Sequence, residues 1–262
     1  MYRSDSEYEL WVDYYDVVHT GVPGEAEFYV GQAVRMNGDT LELGCGTGRL
    51  CIPMAMSGVN VVGMDNSKGM LRRCREKKRA IGKTSGRLKV VEGDMRDFEL
   101  GRTFDLIVMA YRTFMHLLTS EDQRRCLDCV FRHLSPGGTF IVSLWAARPS
   151  HLMGLLSFAP RLQVFAGRYA PPDGEGCLTH YVSTWCDESS QLIEEEHLIH
   201  EVNPTGDVVH TSSMPMRRRW TTPKEMDEML KGHGFHIEAL FGDFDCNVFT
   251  EESTEMIWVA RK

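Results

Sequence analysis

The sequence predicts an α/β protein: a parallel sheet covered on both faces by helices, interrupted late in the chain by an antiparallel β insertion. Three observations carry this. Short, strongly apolar runs alternate with amphipathic helical stretches up to about residue 145 and again after 221, and strands that apolar belong to a sheet buried on both faces. Within Thr40–Leu50 one such run, Leu41-Glu42-Leu43, passes straight into Gly44, Gly46 and Gly48 and then into a helix. Backbone without a Cβ can approach a ligand closely there, and the helix N-terminus can receive its charge. Between about 148 and 222 the pattern changes to period-two alternation broken by turn residues.

Composition sets the bounds. A chain of 262 residues holds one large α/β domain with an insertion, and 42% hydrophobic and 25% charged residues are ordinary for a globular protein. The net charge of −8 speaks against a nucleic-acid partner. No run reaches the apolar length of a membrane span, and Met1-Tyr2-Arg3-Ser4-Asp5-Ser6-Glu7 carries no apolar signal region, so a cytoplasmic protein without a membrane partner is expected. The eight cysteines are scattered, as in a chain kept reduced. Cys126 and Cys129 lie mid-helix with no second pair, and His197 and His200 fall on opposite faces of an alternating run, so no metal site is expected.

Taken in order, Tyr8, Leu10, Trp11, Tyr14, Tyr15 and Val18 have helical spacing over residues 4–20, an aromatic-rich helix that packs on the main domain or closes as a lid. Gly21-Val22-Pro23-Gly24 breaks the chain before a second helix over 25–35. After the glycine turn a helix starts at Arg49 and tolerates Pro53 in its first turn. Strands over 59–65, 88–94, 104–110 and 139–145 follow. Between the first two, a helix carries Met70, Leu71 and Cys74 on one side and a basic run on the rest, read as a solvated face. Between the last two, a helix from Thr119 has an N-cap, two acids in its first turn and the stripe Leu127, Val130, Phe131, Leu134, and Ser135-Pro136-Gly137-Gly138 stops it.

Three alternating runs, 178–186, 191–202 and 208–220, form the β insertion. Thr222-Pro223-Lys224-Glu225 is a capping box with proline at the first helical position, and strands over 235–240 and 255–260 complete the chain. The expected organisation is an N-terminal helical lid (1–36), a ligand-binding domain (37–148 and 221–262) and the insertion (149–220), which roofs the site or forms a homodimer interface.

Which ligand the glycine turn holds follows from its spacing. The pattern is E-x-G-x-G-x-G, whereas a dinucleotide fingerprint needs G-x-G-x-x-G, and Arg49 stands where that third glycine would be displaced. A dinucleotide brings a pyrophosphate to the helix N-terminus, and an adenosyl amino acid brings a carboxylate. Asp65 ends the second strand, where a carboxylate accepts both hydroxyls of a ribose. Asp94-Met95 ends the third, where Asp94 accepts from the exocyclic amine of adenine and the Met95 N–H donates to a ring nitrogen. Three neighbouring strand ends thus aim at one elongated nucleoside, as open parallel sheets bind ligands at their carboxyl edge.

With these residues in place the sequence resembles the class I S-adenosylmethionine-dependent methyltransferases, of the small-molecule type. Leu41-Glu42-Leu43-Gly44-Cys45-Gly46-Thr47-Gly48 is similar to that family's first motif. Val61-Val62-Gly63-Met64-Asp65-Asn66-Ser67, Glu92-Gly93-Asp94-Met95, Phe104-Asp105-Leu106-Ile107-Val108 and Leu134-Ser135-Pro136-Gly137-Gly138 resemble its later motifs, in order. The resemblance covers roughly 10–148 and 221–262. It implies a Rossmann-like, doubly wound sheet of seven strands with the last antiparallel, and S-adenosylmethionine as cofactor. It implies that backbone at Gly44, Gly46 and Gly48 holds the methionine portion, that Glu42 acts through water or on the amino group, and that the Ala110 carbonyl also meets that group. Asp65 would bind the ribose and Asp94 and Met95 the adenine. Tyr15, Cys45, Arg49, Asn66 and Met70 are counted with the same site, Cys45 being equally explained by the need for a small side chain in the turn.

Methyl transfer from a sulfonium is an in-line displacement that positioning alone can accelerate, with a base needed where the acceptor amine or hydroxyl must lose a proton. His116 is the candidate base, just past the fourth strand, and is equally explained as a packing residue. Tyr111 and Arg112, nearer the strand end, are candidates to orient the acceptor, an amine or hydroxyl of a small molecule. Two other readings compete: a nicotinamide-dependent oxidoreductase, which the glycine spacing opposes, and a non-catalytic S-adenosylmethionine-binding protein, which the intact glycines and acids oppose.

Overall fold

The computed structural model describes residues 7–146, 162–171 and 174–262. In chain order the elements are α1 (Tyr15–Val18), α2 (Glu25–Met36), β1 (Thr40–Leu43), α3 (Cys51–Met56), β2 (Val61–Asp65), α4 (Lys68–Ile81), β3 (Leu88–Glu92), β4 (Phe104–Met109), α5 (Ser120–His133) and β5 (Leu134–Trp145). Then come β6 (Val164–Tyr169), β7 (Cys177–Asp187), β8 (Leu192–Val202), β9 (Val208–Arg219), α6 (Pro223–Gly232), β10 (His236–Phe241) and β11 (Glu255–Arg261). Contacts divide them into a large unit, residues 21–147 and 221–262, and a small unit, residues 1–20 and 148–220. Residues 1–6 of the expected lid and the start of the expected insertion lie outside the described residues. Among the described residues no helix is long and apolar enough to cross a membrane.

The large unit is organised by β1, whose four residues are all buried. It pairs in parallel with β2 on one side and β4 on the other, in the sheet order β10-β11-β5-β4-β1-β2-β3. The chain therefore reverses its direction of travel across the sheet between β1 and β4, and the crevice outside their carboxyl ends is where such sheets bind ligands. Only β11 runs antiparallel, to both β5 and β10. One core joins Phe28, Tyr29 and Ala33 of α2, the apolar side of α3, and Leu71 and Cys74 of α4 to Val61, Leu106, Val108, Ile141 and Ile257 of the strands.

The helices begin where side chains cap them. Ser67 Oγ accepts from Met70 N, Thr119 Oγ1 from Asp122 N, and Thr222 and Glu225 cap each other reciprocally with Pro223 following. The basic face of α4 is largely solvated, with Arg72 and Arg73 pairing Glu76 at the surface.

Four differences from the sequence reading have physical reasons. Helix α3 starts at Cys51, because Gly44–Leu50 are taken up by the turn. Strand β5 starts at Leu134 and includes Ser135–Gly138, since Gly137 N donates to Lys262 O and Lys262 N to Gly138 O. The N-terminal aromatic stretch is helical only over α1 and otherwise a series of turns. Helix α2, within the stretch expected as a lid, belongs to the large unit and buries Phe28, Tyr29 and Ala33 in its core.

The small unit is one antiparallel sheet in the order β6-β7-β8-β9. Strand β6, not foreseen, is an edge strand whose period is broken by Gly167. The inward face is mixed: Leu178, Cys186, Ile193, Ile199, Met214 and Met216 are buried on it, and a polar series runs among them. His180 Nε2 and His197 Nδ1 share a hydrogen bond of 2.9 Å, and Glu195 lies between His197 Nε2, at 3.4 Å, and the guanidinium of Arg218. Trp11 covers this face, its ring edge-on to His197 at 4.9 Å, and Tyr14 Oη donates to Glu201 at 2.7 Å. His200 turns to the opposite face and bonds Thr211.

Burial first, then the neighbouring His197, holds His180 down at about 4. Burial likewise holds His19 at about 3. For Glu195 burial opposes ionisation, but Arg218 and His197 outweigh it and bring it to about 2. Between the ordinary histidine value of 6.5 and about 4, the unfolded chain takes up protons that the folded sheet refuses. Stability of the small unit is therefore full above that window and falls as pH drops through it, with a further loss as Glu195 is protonated. Urea unfolding followed by tryptophan fluorescence should show a midpoint that falls steadily from neutral pH to about 4.5. The His180→Asn variant should flatten that fall, and a midpoint independent of pH in the wild type would contradict the account.

Candidate cofactor and acceptor site

The glycine turn is sewn onto the end of β2. Gly44 N and Cys45 N both donate to Met64 O, at 2.8 and 3.0 Å, and Gly46 N donates to Asp65 Oδ2 at 2.8 Å. Ser67 N donates to Asp65 Oδ1 at 2.9 Å, so one carboxylate fixes both the turn and the entry to α4. Gly44, Gly46 and Gly48 have φ of 71°, 53° and 91°, the left-handed region where a side chain is strained. Space reinforces this. A Cβ on Gly44 would sit 2.4 Å from Thr113, and one on Gly48 2.7 Å from Cys74 Sγ. Cys45, Cys51 and Cys74 pack beneath the turn, where Cys45 is the small side chain that the crowding allows. Lys77 Nζ donates to Thr47 Oγ1 at 2.9 Å, so one residue of the basic run does reach the turn.

Asp65 is raised above the ordinary carboxylate range by burial, against which the N–H groups of Ser67, Gly46 and Asn66 pull it down. A carboxylate accepts about four hydrogen bonds, so beside these N–H groups Asp65 keeps capacity for about one more, from a hydroxyl of a ribose. Glu42 is buried, and burial, the largest influence on it, pushes its carboxyl well up while Arg49 opposes. Its Oε2 has no hydrogen-bond partner among the described residues. Such an atom calls for a donor. Asn66 is exposed beside Asp65, and Met70 is buried in the first turn of α4.

Two of the expected contacts are differently engaged. Asp94 is gripped by Arg96, whose Nε lies 2.9 and 3.0 Å from its two oxygens and whose backbone N–H also donates to it. Although burial opposes ionisation, Arg96 keeps the Asp94 carboxyl below its usual range. The adenine role read for Asp94 thus has to share an already paired carboxylate. The Ala110 carbonyl accepts from both Thr113 N, at 3.1 Å, and Thr113 Oγ1, at 2.8 Å, which uses its two lone pairs. Met95 sits in the tight turn closed by the Asp97 N to Asp94 O bond.

Beyond β4 the chain takes an unusual path. Tyr111 and Arg112 are consecutive non-glycine residues with φ of 50° and 67°. Backbone held like this costs ~1–3 kcal/mol per residue and tends to cluster at functional sites. Two contacts enforce it: Thr113 packs against Gly44, and Arg112 pairs with Glu255 of β11, a carboxylate only 5% exposed. Glu255 is raised by burial, with Arg112 pulling it back. Arg49 lies over the Tyr111 ring, 4.7 Å from its centroid, and donates to Glu25 Oε2 at 2.6 Å. His116 ends the short 3₁₀ turn Thr113–His116 and is half-buried.

The structure thus brings Glu42, Gly44, Gly46, Gly48, Arg49, Asp65, Ala110, Tyr111 and Arg112 to one edge of the large sheet. Tyr15 belongs to the small unit, against the rings of Tyr8 and His19. Sequence reasoning missed Glu25, Thr113 and Glu255. The first and last read as ordinary surface acids at the start of a helix and a strand, and no local signal marks them. The chain's own geometry fits an adenosyl amino acid: a cradle that a Cβ would fill, an acid at each of two strand ends, and an unpartnered buried carboxylate oxygen beside a helix start.

A family model described as a methyltransferase domain matches residues 40–138. The cypemycin N-terminal methyltransferase of a Streptomyces species is 35% identical over 257 residues, 97% of this chain and 96% of its own. A dTDP-4-amino-2,3,4,6-tetradeoxy-D-glucose N,N-dimethyltransferase of Saccharopolyspora spinosa is 28% identical over 144 residues, 51% of this chain and 53% of its own. Among solved structures, the CcbJ methyltransferase from Streptomyces caelestis superposes with a TM-score of 0.81 at 25% identity, covering 99% of both chains.

Replacing Asp65 with asparagine removes the charge that a ribose would meet and half the acceptor capacity. Charge-assisted hydrogen bonds contribute about 1.5–3 kcal/mol, so calorimetric affinity for S-adenosylhomocysteine should fall by roughly ten- to a hundredfold. An unchanged affinity would remove Asp65 from the site.

Proposed function

Because the chain belongs to the S-adenosylmethionine-dependent methyltransferases, we propose that the acceptor it methylates is an amine of a small molecule. The observation that carries this reading is the likeness to the cypemycin N-terminal methyltransferase, 35% identical over 97% of this chain, whose name places its reaction at an N-terminus. The name of a second relative, an amino-sugar N,N-dimethyltransferase, supports the same reading.

Bound S-adenosylmethionine supplies a methyl group carried on a positively charged sulfur. The residues of the chain have three tasks. The glycine turn and Asp65 hold the cofactor at the switch between β1 and β4. Tyr111 and Arg112, locked by Thr113 and Glu255, orient the acceptor nitrogen on the line of displacement, which is where most of the acceleration arises. His116 takes the proton that the ammonium must lose before its lone pair is available.

The test is transfer of labelled methyl from S-adenosylmethionine to paired acceptors, amino sugars and free peptide N-termini against their hydroxyl analogues. Amines should be methylated and the hydroxyl analogues left untouched. Equal transfer to both sets would overturn the reading. The His116→Ala variant should lose about a hundredfold in kcat, within the range for removing a general base, and recover as pH rises and the amine deprotonates unaided. Its affinity for S-adenosylhomocysteine should be unchanged. A loss of kcat that is flat across pH would mean that His116 only packs.

A further inference from the structure

The chain is acidic overall, yet its charges are unevenly spread. Residues 68–89, which make up α4, the loop after it and the start of β3, hold ten lysines and arginines and one glutamate, a net of +9. With −8 on the whole chain, the rest carries −17. Within α4, Lys68, Arg72, Arg75 and Arg79 recur at intervals of four, three and four, and all four are exposed. That spacing puts side chains on one face of a helix. The stripe runs about 16 Å along the axis.

This face works against the helix that carries it. Lys68 opens α4 and the first turn has no acid, although a helix N-terminus favours negative charge. Lys68 and Arg72, and again Arg75 and Arg79, are like charges four apart, which destabilises a helix. Compensation within the chain is thin: Glu76 pairs with Arg72 at 4.0 Å and Arg73 at 3.6 Å, and Lys68 meets Glu92 at 3.7 Å. Arg79, Lys83 and Lys89 have no ion pair among the described residues. On the flank, Lys78 donates to the Leu88 carbonyl and Arg75, at 3.5 Å, to that of Val90. Strand β3 is an edge of the large sheet, and these two carbonyls are thereby closed to a further strand. An occupant of this surface meets side chains.

We propose that the exposed stripe of α4 is the docking surface for an acidic helical segment of a partner protein, one with carboxylates at the same four-three-four spacing. Opposite charge across the contact would relieve the repulsion within α4 and fix the register of the two helices. Size selects this partner over other polyanions. A nucleic-acid duplex or an anionic membrane surface extends well past the stripe and meets the field of a remainder that carries −17. Surface charge is screened within about 8 Å at physiological salt, so a partner that stays on the stripe meets only its cations. A segment of three helical turns matches it in length and in charge.

Fluorescence anisotropy on the full chain tests this. The probe is a labelled, alanine-based helical peptide with four glutamates at that spacing, compared with the same peptide carrying glutamines. The glutamate peptide should bind about tenfold more tightly, a modest margin because each exposed ion pair is weak. Its affinity should fall as added salt shortens the screening length. A double variant, Arg72→Glu with Arg79→Glu, should lose about tenfold in affinity for it, since two attractions become repulsions. Calorimetric affinity of that variant for S-adenosylhomocysteine should be unchanged, showing the fold intact. The two peptides compared on the wild type decide the question even if the double variant does not fold. No binding of the glutamate peptide, equal binding of both peptides, or a folded double variant with unchanged affinity overturns the proposal. So does displacement of the peptide by a DNA duplex or by phosphatidylserine vesicles offered at equal negative charge.

Discussion

The Asp65 carboxylate binds backbone on both sides of itself, Gly46 N–H before and Ser67 N–H after, and the ligand edge depends on that arrangement. The glycine turn has no side chains with which to stabilise itself, and three of its residues sit in the left-handed region. What holds it is β2: Met64 O takes two of its N–H groups and Asp65 a third. A turn anchored this way leaves its outer surface to a ligand. It also serves as a template, because Thr113 rests on Gly44 and so sets the path of the chain after β4. The glycine turn and the turn after β4 are thus two sides of one packed contact.

Much of this was legible in the sequence because it is local. Strand, glycine turn and helix follow one another within a dozen residues, and the spacing E-x-G-x-G-x-G distinguishes an adenosyl amino acid from a dinucleotide. The seven strands of the large sheet, with the last antiparallel, agree with the fold that the family resemblance implied. What escaped was non-local. Nothing near Glu25 announces that it will be buried against Arg49, and nothing near Glu255 announces Arg112, a partner 143 residues away. The pairing of Asp94 with Arg96 is local, but an acid followed by a basic residue two positions on is too common to be read as a chelate. Strand β6 escaped because Gly167 breaks its alternation and it has a neighbour on one side only.

The small unit follows a different rule. Its strands are joined by short turns, and its inward face sets histidine, glutamate and arginine among buried apolar side chains such as Ile193, Ile199 and Met214. Such a face is stable only when its members satisfy one another, and the series His180, His197, Glu195, Arg218 does most of this. Trp11 and Tyr14 then cover it, which explains why residues 7–20 belong with a sheet that begins well over a hundred positions later. The aromatic spacing that suggested a helix reflects contacts with this sheet, and only four residues of the stretch are helical.

The position of β11 has a consequence for how the molecule comes together. It pairs along its whole length with β5, Glu255 opposite Trp145 and Arg261 opposite Thr139. These partners are separated by roughly a hundred residues, a loop whose closure entropy must be met before the pairing stabilises anything. The hairpins of the small unit, by contrast, join neighbours across a few turn residues. Local hairpins of this kind form on a microsecond scale, whereas distant pairings dominate slow folding. On a ribosome, β5 would emerge with an unpaired apolar edge and keep it until nearly all of the remaining chain had been made. The strand that completes the central sheet is thus also the one that leaves it longest exposed to the wrong neighbour.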